Sequence, residues 1–281
     1  MTISLVTGDC RAVLPRFPSD CIHCVVTSPP YWGLRDYGVA EQIGLEDTLN
    51  RFVDELVNVF RDVRRVLRPD GTLWLNLGDS YAATTKGCDD KGKLKPKDLV
   101  GIPWRVAFAL QSDGWWLRQD IIWSKTNPMP ESVKDRCTKS HEYLFLLTKS
   151  EKYYFNSEAI AEAASQNVPW SNNSNNGIKD ATLHKRGKTS SLGKAAPATR
   201  NKRSVWTITP KPFREAHFAT FPPDLVEPCI LAGSPIGGNI LDPFSGAGTT
   251  AFVAKSLNRH CIGIELNPQY NEMAKRRCGE V

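Results

Sequence analysis

The chain predicts an α/β fold, a mostly parallel sheet with helices on both faces, and three features carry that prediction. Short apolar runs alternate with segments of helical spacing over residues 1–156 and again from 205 onward, the pattern of successive β–α–β units. Near the C-terminus a strand candidate runs through Asp242 into Gly246-Ala247-Gly248 and then into a helix candidate, the arrangement with which open α/β sheets hold nucleotides. Between these regions, 165–204 loses periodicity and is dominated by Ser, Asn, Gly, Lys and Arg. The expected organisation is therefore one domain in two parts, 1–164 and 205–281, split by an irregular basic insertion at 165–204.

The elements follow in order. Ile3-Ser4-Leu5-Val6 is a short strand, Asp9 caps a helix through Phe17, and Cys21 to Val26 is a buried strand. From Arg51 to Leu67, the residues Phe52, Leu56, Val59, Phe60, Val63 and Leu67 recur at helical spacing, and Pro69-Asp70-Gly71 is expected to end that helix before a strand at Thr72 to Leu77. A loop with five Lys (Lys86, Lys91, Lys93, Lys95 and Lys97) precedes a helix at about 101–112, a strand at 117–123 and a core strand at His141 to Thr148. After the insertion come a short apolar run at Val205 to Ile208, a helix near 222–233, a strand at 239–242, a helix at 248–257, a strand at 260–265 and a helix at 268–277.

The 281 residues carry 36 basic and 30 acidic side chains, a net charge of +6. Eight of the basic residues (Lys179, Lys185, Arg186, Lys188, Lys194, Arg200, Lys202 and Arg203) fall in one 25-residue window beside a single acid, Asp180, and the rest of the chain holds 28 basic and 29 acidic residues. The positive balance thus sits in the insertion, where it suits a polyanion, although a charge run is also the ordinary face of a solvated loop. No stretch reaches the roughly 18 uncharged apolar residues of a membrane span, and the first residues are too polar for a signal peptide, so a cytoplasmic protein without a membrane is expected. Eight scattered Cys are too few for a disulfide scaffold. Cys21 and Cys24 have metal-like spacing but lie inside an apolar strand with no second pair, so core packing is the reading and no metal is expected.

Two constellations carry chemistry. In Asp242-Pro243-Phe244-Ser245-Gly246-Ala247-Gly248-Thr249-Thr250, the glycines permit a tight turn and close approach of backbone to a ligand, and Thr249 is placed to cap the next helix. Nineteen residues beyond Gly246, a second strand ends on Glu265, whose carboxylate can accept both hydroxyls of a ribose. The third glycine of the dinucleotide fingerprint is replaced by Ala251, and Asp242 would repel a pyrophosphate. A cationic nucleoside such as S-adenosylmethionine fits these residues better than NAD. The second constellation, Thr27-Ser28-Pro29-Pro30-Tyr31-Trp32-Gly33, leaves a strand where such sheets place their sites. Consecutive prolines remove two donors and stiffen the chain, so that nearby carbonyls stay free to accept from a ligand, and Tyr31 and Trp32 add aromatic faces.

These residues resemble the DNA amino-methyltransferases, which methylate the exocyclic nitrogen of cytosine or adenine. Thr27 to Tyr31 is similar to their catalytic motif and Asp242 to Thr250 to their cofactor loop. His217-Phe218-Ala219-Thr220-Phe221-Pro222 is similar to the segment on the methionine portion, and Thr7-Gly8-Asp9-Cys10 to the loop reaching the adenine ring. Trp123 to Pro130 and Ser140 to Tyr143 also match. The motif order is that of the beta class, in which the intervening segment is the target-recognition region.

The resemblance implies a Rossmann-like methyltransferase fold with a seven-stranded sheet containing one antiparallel strand, S-adenosyl-L-methionine as cofactor, double-stranded DNA as partner, and a prokaryotic or phage origin. It assigns catalysis to Ser28, Pro29, Pro30 and Tyr31, and cofactor binding to Asp9, Cys10, Thr220, Phe221, Asp242, Pro243, Phe244, Gly246, Gly248, Thr249 and Glu265. The eight clustered basic residues are then the DNA-binding set. The five loop lysines read by default as solvated chain, with contact to DNA phosphates as the alternative. An exocyclic amine is a weak nucleophile because its lone pair is delocalised. Accepting its two hydrogens on the Ser28 hydroxyl and the Pro29 carbonyl would localise that pair for direct transfer, while Tyr31 stacks on a base taken out of the duplex. Ser before Pro-Pro points to N4 of cytosine, with N6 of adenine as the alternative. An RNA or protein-amide methyltransferase and a non-catalytic binding module are the rival classes, and a cognate restriction endonuclease and a homodimer stay open as partners.

Overall fold

A computed structural model describes residues 1–33, 38–39, 42–82, 94–164, 198–211 and 221–279 of the chain. β1 (Ile3–Thr7) leads to α1 (Cys10–Val13), capped by Asp9, whose carboxylate accepts from the Arg11 amide at 2.8 Å. The helix expected through Phe17 gives way earlier to a 3-10 turn at Leu14–Arg16, because Pro15 has no N–H with which to continue an α-helix. β2 (Ile22–Thr27) follows, then α2 (Leu49–Val66), which starts on a Thr48 cap and buries Phe52, Leu56, Val59, Phe60 and Val63 along one stripe.

The break expected at Pro69-Asp70-Gly71 is not a break between elements, since β3 (Leu67–Leu77) begins directly at the end of α2. Leu67 is already extended, with ψ of 135°, and Arg68 is held extended by the following proline. β3 pairs Leu67 with Ile22 and Thr72 with Cys24, and the ladder slips between these pairs to absorb the Pro-Asp-Gly segment.

The remaining elements are α3 (Ile102–Ser112), β4 (Trp116–Ser124), β5 (His141–Thr148), β6 (Glu162–Ala163), β7 (Thr199–Arg200), β8 (Val205–Thr207), α4 (Pro223–Gly233), β9 (Asn239–Asp242), α5 (Thr249–Ser256), β10 (His260–Glu265) and α6 (Pro268–Cys278). α5 is capped not by Thr249 but by Gly248, whose φ of 73° places it in the left-handed region. Thr249 is the first helical residue instead, and its hydroxyl accepts from Arg277 at 2.9 Å.

Among the described residues the main sheet has eight strands in the order β1-β10-β9-β2-β3-β5-β4-β8, and of these only β5 runs against its neighbours, pairing antiparallel with both β3 and β4. The mostly parallel sheet with one reversed strand is therefore present, and the short β8, parallel to β4, adds an eighth strand to the seven expected. Strands from both sides of the insertion share this sheet. β6 and β7 form a separate two-stranded ladder, with Glu162 opposite Arg200.

Alternation along the strands supplies two cores. One face directs Ile22, Val25, Leu73, Leu75 and Phe145 against Phe52, Phe60, Val106 and Leu110 of α2 and α3. The other directs Cys24, Val26, Trp74, Leu144 and Leu146 against Leu225, Ile230, Ala251 and Ala254 of α4 and α5. Each fully buried Leu, Ile or Phe contributes roughly 1.5–3 kcal/mol relative to exposure. Of the two aromatic faces after the prolines, Trp32 packs in the first core: it is buried, and its indole N–H donates to the Glu46 carbonyl at 2.8 Å. His23 accepts from the Asn239 amide at 3.0 Å and so ties β2 to β9. No helix among the described residues is long and apolar enough to cross a membrane, and no group of three His, Cys, Asp or Glu among them is placed to hold a metal.

Candidate active site

Strand polarity brings the chemistry-bearing residues to one end of the sheet. The carboxyl ends of β1, β10, β9, β2, β3 and β4 deliver Asp9, Glu265, Asp242, Ser28, Asn76 and Lys125, and reversed β5 delivers Glu142 from its amino end. A cavity opens there among the described residues, as expected at the carboxyl ends of a doubly wound sheet. Ser28, Pro29, Pro30 and Tyr31 line one half of it; Asp9, Cys10, Phe221, Pro243, Phe244, Gly246, Thr249 and Glu265 line the other. Thr220 lies outside the described residues, as do Lys179, Lys185, Arg186, Lys188 and Lys194, and Lys86, Lys91 and Lys93 of the loop.

The Gly246 half is shaped for a nucleoside. Gly246 has a φ of 51°, and a side chain built on it would meet no atom within 4 Å, so the cavity reaches the backbone there. Glu265 accepts from the Gly246 amide at 2.7 Å through one oxygen and from the Asn267 amide at 2.8 Å through the other. Burial raises its carboxyl above the usual range, while the hydrogen bonds from the Asn267 and Gly246 amides pull it back. The buried Ser245 hydroxyl in the same lining has no hydrogen-bond partner among the described residues. An acidic strand end, an exposed glycine backbone and an unused hydroxyl are a fitting donor and acceptor set for an adenosine-type cofactor.

Other members of the cofactor set play different parts. Asp242 does not line the cavity: its two oxygens accept from Thr27 at 2.6 Å and Thr250 at 2.7 Å, and the Phe244 amide donates to it at 3.1 Å. Burial pushes its carboxyl up to about 6 despite these bonds. Gly248 packs on α6, where an added Cβ would stand 2.7 Å from that of Ala274. Asp9 lines the cavity, but its carboxylate is engaged by Arg11 at 2.6 Å; burial alone would raise its pKa, and the Arg11 hydrogen bonds hold it below the usual value. Burial pushes the Cys10 thiol up to about 12, so it is protonated at neutral pH.

In the other half, the Tyr31 phenol donates to Glu142 at 2.9 Å, and Glu142 pairs through its second oxygen with Lys125 at 2.5 Å. Burial first, then the Glu142 charge, raises the Tyr31 phenol well above its ordinary range, so it stays a donor. The Tyr31 ring rests on Gly78, where an added Cβ would stand 2.5 Å from ring atom Cε2. Asn76 also faces this half, and its amide donates to the Tyr143 carbonyl at 3.1 Å. Sequence reasoning missed Gly78 and Asn76 and placed Glu142 only within the matching Ser140 to Tyr143 segment; the run Asn76-Leu77-Gly78 at a strand end was the available signal.

Three residues of the basic set lie in the described part. Arg200 and Arg203 both donate to Glu162, at 2.9 and 2.6 Å, and Lys202 lies 5.0 Å above the Trp206 ring. They sit at the β6–β7 ladder, across which 162–164 and 198–200 face each other at the two ends of the insertion.

Fold and cavity together define a nucleoside-dependent group-transfer enzyme of the doubly wound class. The chain belongs to the N4/N6 DNA methylase family, whose model matches residues 22–276. Membership makes S-adenosyl-L-methionine the methyl donor. The type II methyltransferase M.Cfr9I of Citrobacter freundii is 48% identical over 290 aligned positions, covering 98% of this chain and 87% of the relative. M.SmaI of Serratia marcescens is also 48% identical, covering 97% and 89%. Among solved structures, a candidate DNA modification methylase of Thermus thermophilus complexed with S-adenosyl-L-methionine superposes with a TM-score of 0.66 at 26% identity, covering 100% of this chain and 95% of that one. The cytosine-N4-specific PvuII DNA methyltransferase shares the fold, with a TM-score of 0.71 at 20% identity over 99% and 86% of the two chains.

Proposed function

We propose that this protein is a cytoplasmic type II modification methylase that methylates N4 of a flipped cytosine in duplex DNA. The observation that carries the reading is the placement of Ser28-Pro29-Pro30-Tyr31 in the same cavity as the Gly246–Glu265 half. Ser28 and the Pro29 carbonyl accept the two amino hydrogens of the target base, so the nitrogen lone pair leaves conjugation and is aimed across the cavity. Tyr31, fixed by Glu142 and Gly78, supports the ring of the base. Glu265 holds the ribose hydroxyls, and the Gly246 backbone and Ser245 hydroxyl border the same ligand. The bound cofactor supplies an electrophilic methyl group on a sulfonium. Ser before Pro-Pro favours cytosine over adenine by resemblance to the family.

The insertion at 165–204 recognises the DNA, with its lysines and arginines against phosphates, and residues 1–164 and 205–281 form the catalytic and cofactor-binding parts of one domain. Arg200 and Arg203 share the single Glu162 carboxylate and so keep a net positive charge at the base of that segment. Mass spectrometry of nucleosides from DNA treated with enzyme and cofactor tests the reading: N4-methyl-2′-deoxycytidine is expected, and N6-methyl-2′-deoxyadenosine, or transfer to RNA or protein alone, overturns it.

A further inference from the structure

The base half of the cavity contains an ion pair that accepting an amino group does not require. Lys125 follows the last residue of β4, and Glu142 is the second residue of β5, opposite Trp123 in the ladder. Their side chains keep only 22% and 15% of their exposure, yet both face the cavity that holds Ser28. Sequestering such a pair from water costs several kcal/mol per ion before its attraction returns it, so an apolar pair would stabilise this corner about as well. Its position at the cavity wall points to a ligand.

The donor inventory identifies which part of the ligand. Asn76 spends one of its two amide N–H groups on the Tyr143 carbonyl and is neutral, the Tyr31 hydroxyl donates to Glu142, and the other cation lining the cavity, Arg11, stands with Asp9. Lys125 is thus the cationic donor of the base half among the described residues. Its ammonium has three N–H groups, of which Glu142 takes one while the Trp123 ring lies 4.6 Å away. Two hydrogen bonds, Tyr31 to Glu142 and Lys125 to Glu142, separate it from the phenol beside Ser28. A cytosine seated with its amino group at Ser28 carries a carbonyl, O2, at the far end of the same edge. Adenine has only a C–H there.

We propose that Lys125, positioned by Glu142, donates to the O2 carbonyl of the target cytosine and thereby selects cytosine over adenine. The proposal rests on the cytosine reading above. Glu142 then has two positioning tasks on two oxygens, the Tyr31 ring support and the Lys125 donor.

The test is a single-turnover cycle on a duplex carrying the modified position, located by mapping methylated DNA. One substrate has cytosine at that position. The other has the 2-aminopyridin-5-yl C-nucleoside, which keeps the amino group and adjacent ring nitrogen but lacks O2. Wild-type enzyme is expected to lose roughly 10- to 100-fold on the analogue, the worth of one charge-assisted hydrogen bond. Lys125→Met should lose a similar factor on cytosine, lose nothing further on the analogue, and keep wild-type affinity for S-adenosyl-L-methionine, which reports that it is folded. Lys125→Arg, which retains a donor, should recover part of the cytosine rate. Equal slowing of both substrates by Lys125→Met, or wild-type indifference to the missing O2, overturns the proposal. Failure of the cytosine reading shows separately, as N6-methyladenine from the wild-type enzyme, and removes the O2 contact with it.

Discussion

Thr27, the last residue of β2, donates its hydroxyl to Asp242, the last residue of β9, at 2.6 Å. The same carboxylate accepts from Thr250 in the first turn of α5. One buried acid therefore fixes the strand that presents Ser28 to the loop that presents Gly246. Both halves of the cavity move with it, and their relative position is set before any ligand arrives, which is where oriented binding gains most of its rate.

The Asp242 carboxyl titrates near about 6 in the fold, against ~3.9 in an unfolded chain. Between those values the folded protein holds the extra proton, so this residue's contribution to stability falls as pH rises from about 4 to about 6 and is level above. The difference is on the order of 3 kcal/mol. Urea unfolding across that range should give Asp242→Asn a flatter pH profile than wild type. Identical profiles would show that the carboxyl is not perturbed.

Glu265 must be ionised to accept two ribose hydroxyls, and burial raises its carboxyl. Affinity for S-adenosyl-L-methionine should accordingly weaken as pH falls through that raised value. Calorimetric titration of Glu265→Ala should show a loss of roughly 10- to 100-fold at neutral pH together with a weaker pH dependence; an unaltered affinity would remove Glu265 from the cofactor site.

Gly78→Ala places a methyl group 2.5 Å from Tyr31 Cε2, and the ring has to shift. Misplacement by about 1 Å can cost ~100-fold in rate. A slowed transfer step with unchanged cofactor affinity is the expected kinetic signature. Tyr31→Phe, which keeps the ring but not the bond to Glu142, should slow transfer less than Tyr31→Ala.

The parts of the site written in short runs were legible in the sequence. Asp242 to Thr250 is a strand, a turn and a helix in one stretch, and Thr27 to Tyr31 leaves a strand on two prolines, so local chemistry reveals them. The fold class followed from alternation of apolar runs. Contacts between distant residues were not legible. Asp242 read as a ligand-side acid because its partner Thr27 lies 215 positions away, and the Tyr31–Glu142 bond spans 111 positions. The α5 cap was assigned to Thr249 by side-chain chemistry, whereas backbone conformation gave it to Gly248. Pro69-Asp70-Gly71 looked like a terminator, but pairing of Leu67 with Ile22 carried the strand through it. The eighth strand is three residues long, and its existence depends on the exposed edge of β4.

One cavity holding two separable functions is the central claim: the Glu265 half binds the cofactor, and the Ser28 half orients the nucleophile. The most direct measurement is single-turnover methyl transfer to duplex DNA by Ser28→Ala preloaded with S-adenosyl-L-methionine, with cofactor affinity measured on the same sample. A rate reduced by about 100- to 1,000-fold with affinity essentially unchanged is predicted, the cost of removing one oriented hydrogen-bonding group from the reacting centre. A rate close to wild type, or a loss of cofactor affinity in step with the loss of rate, would contradict it.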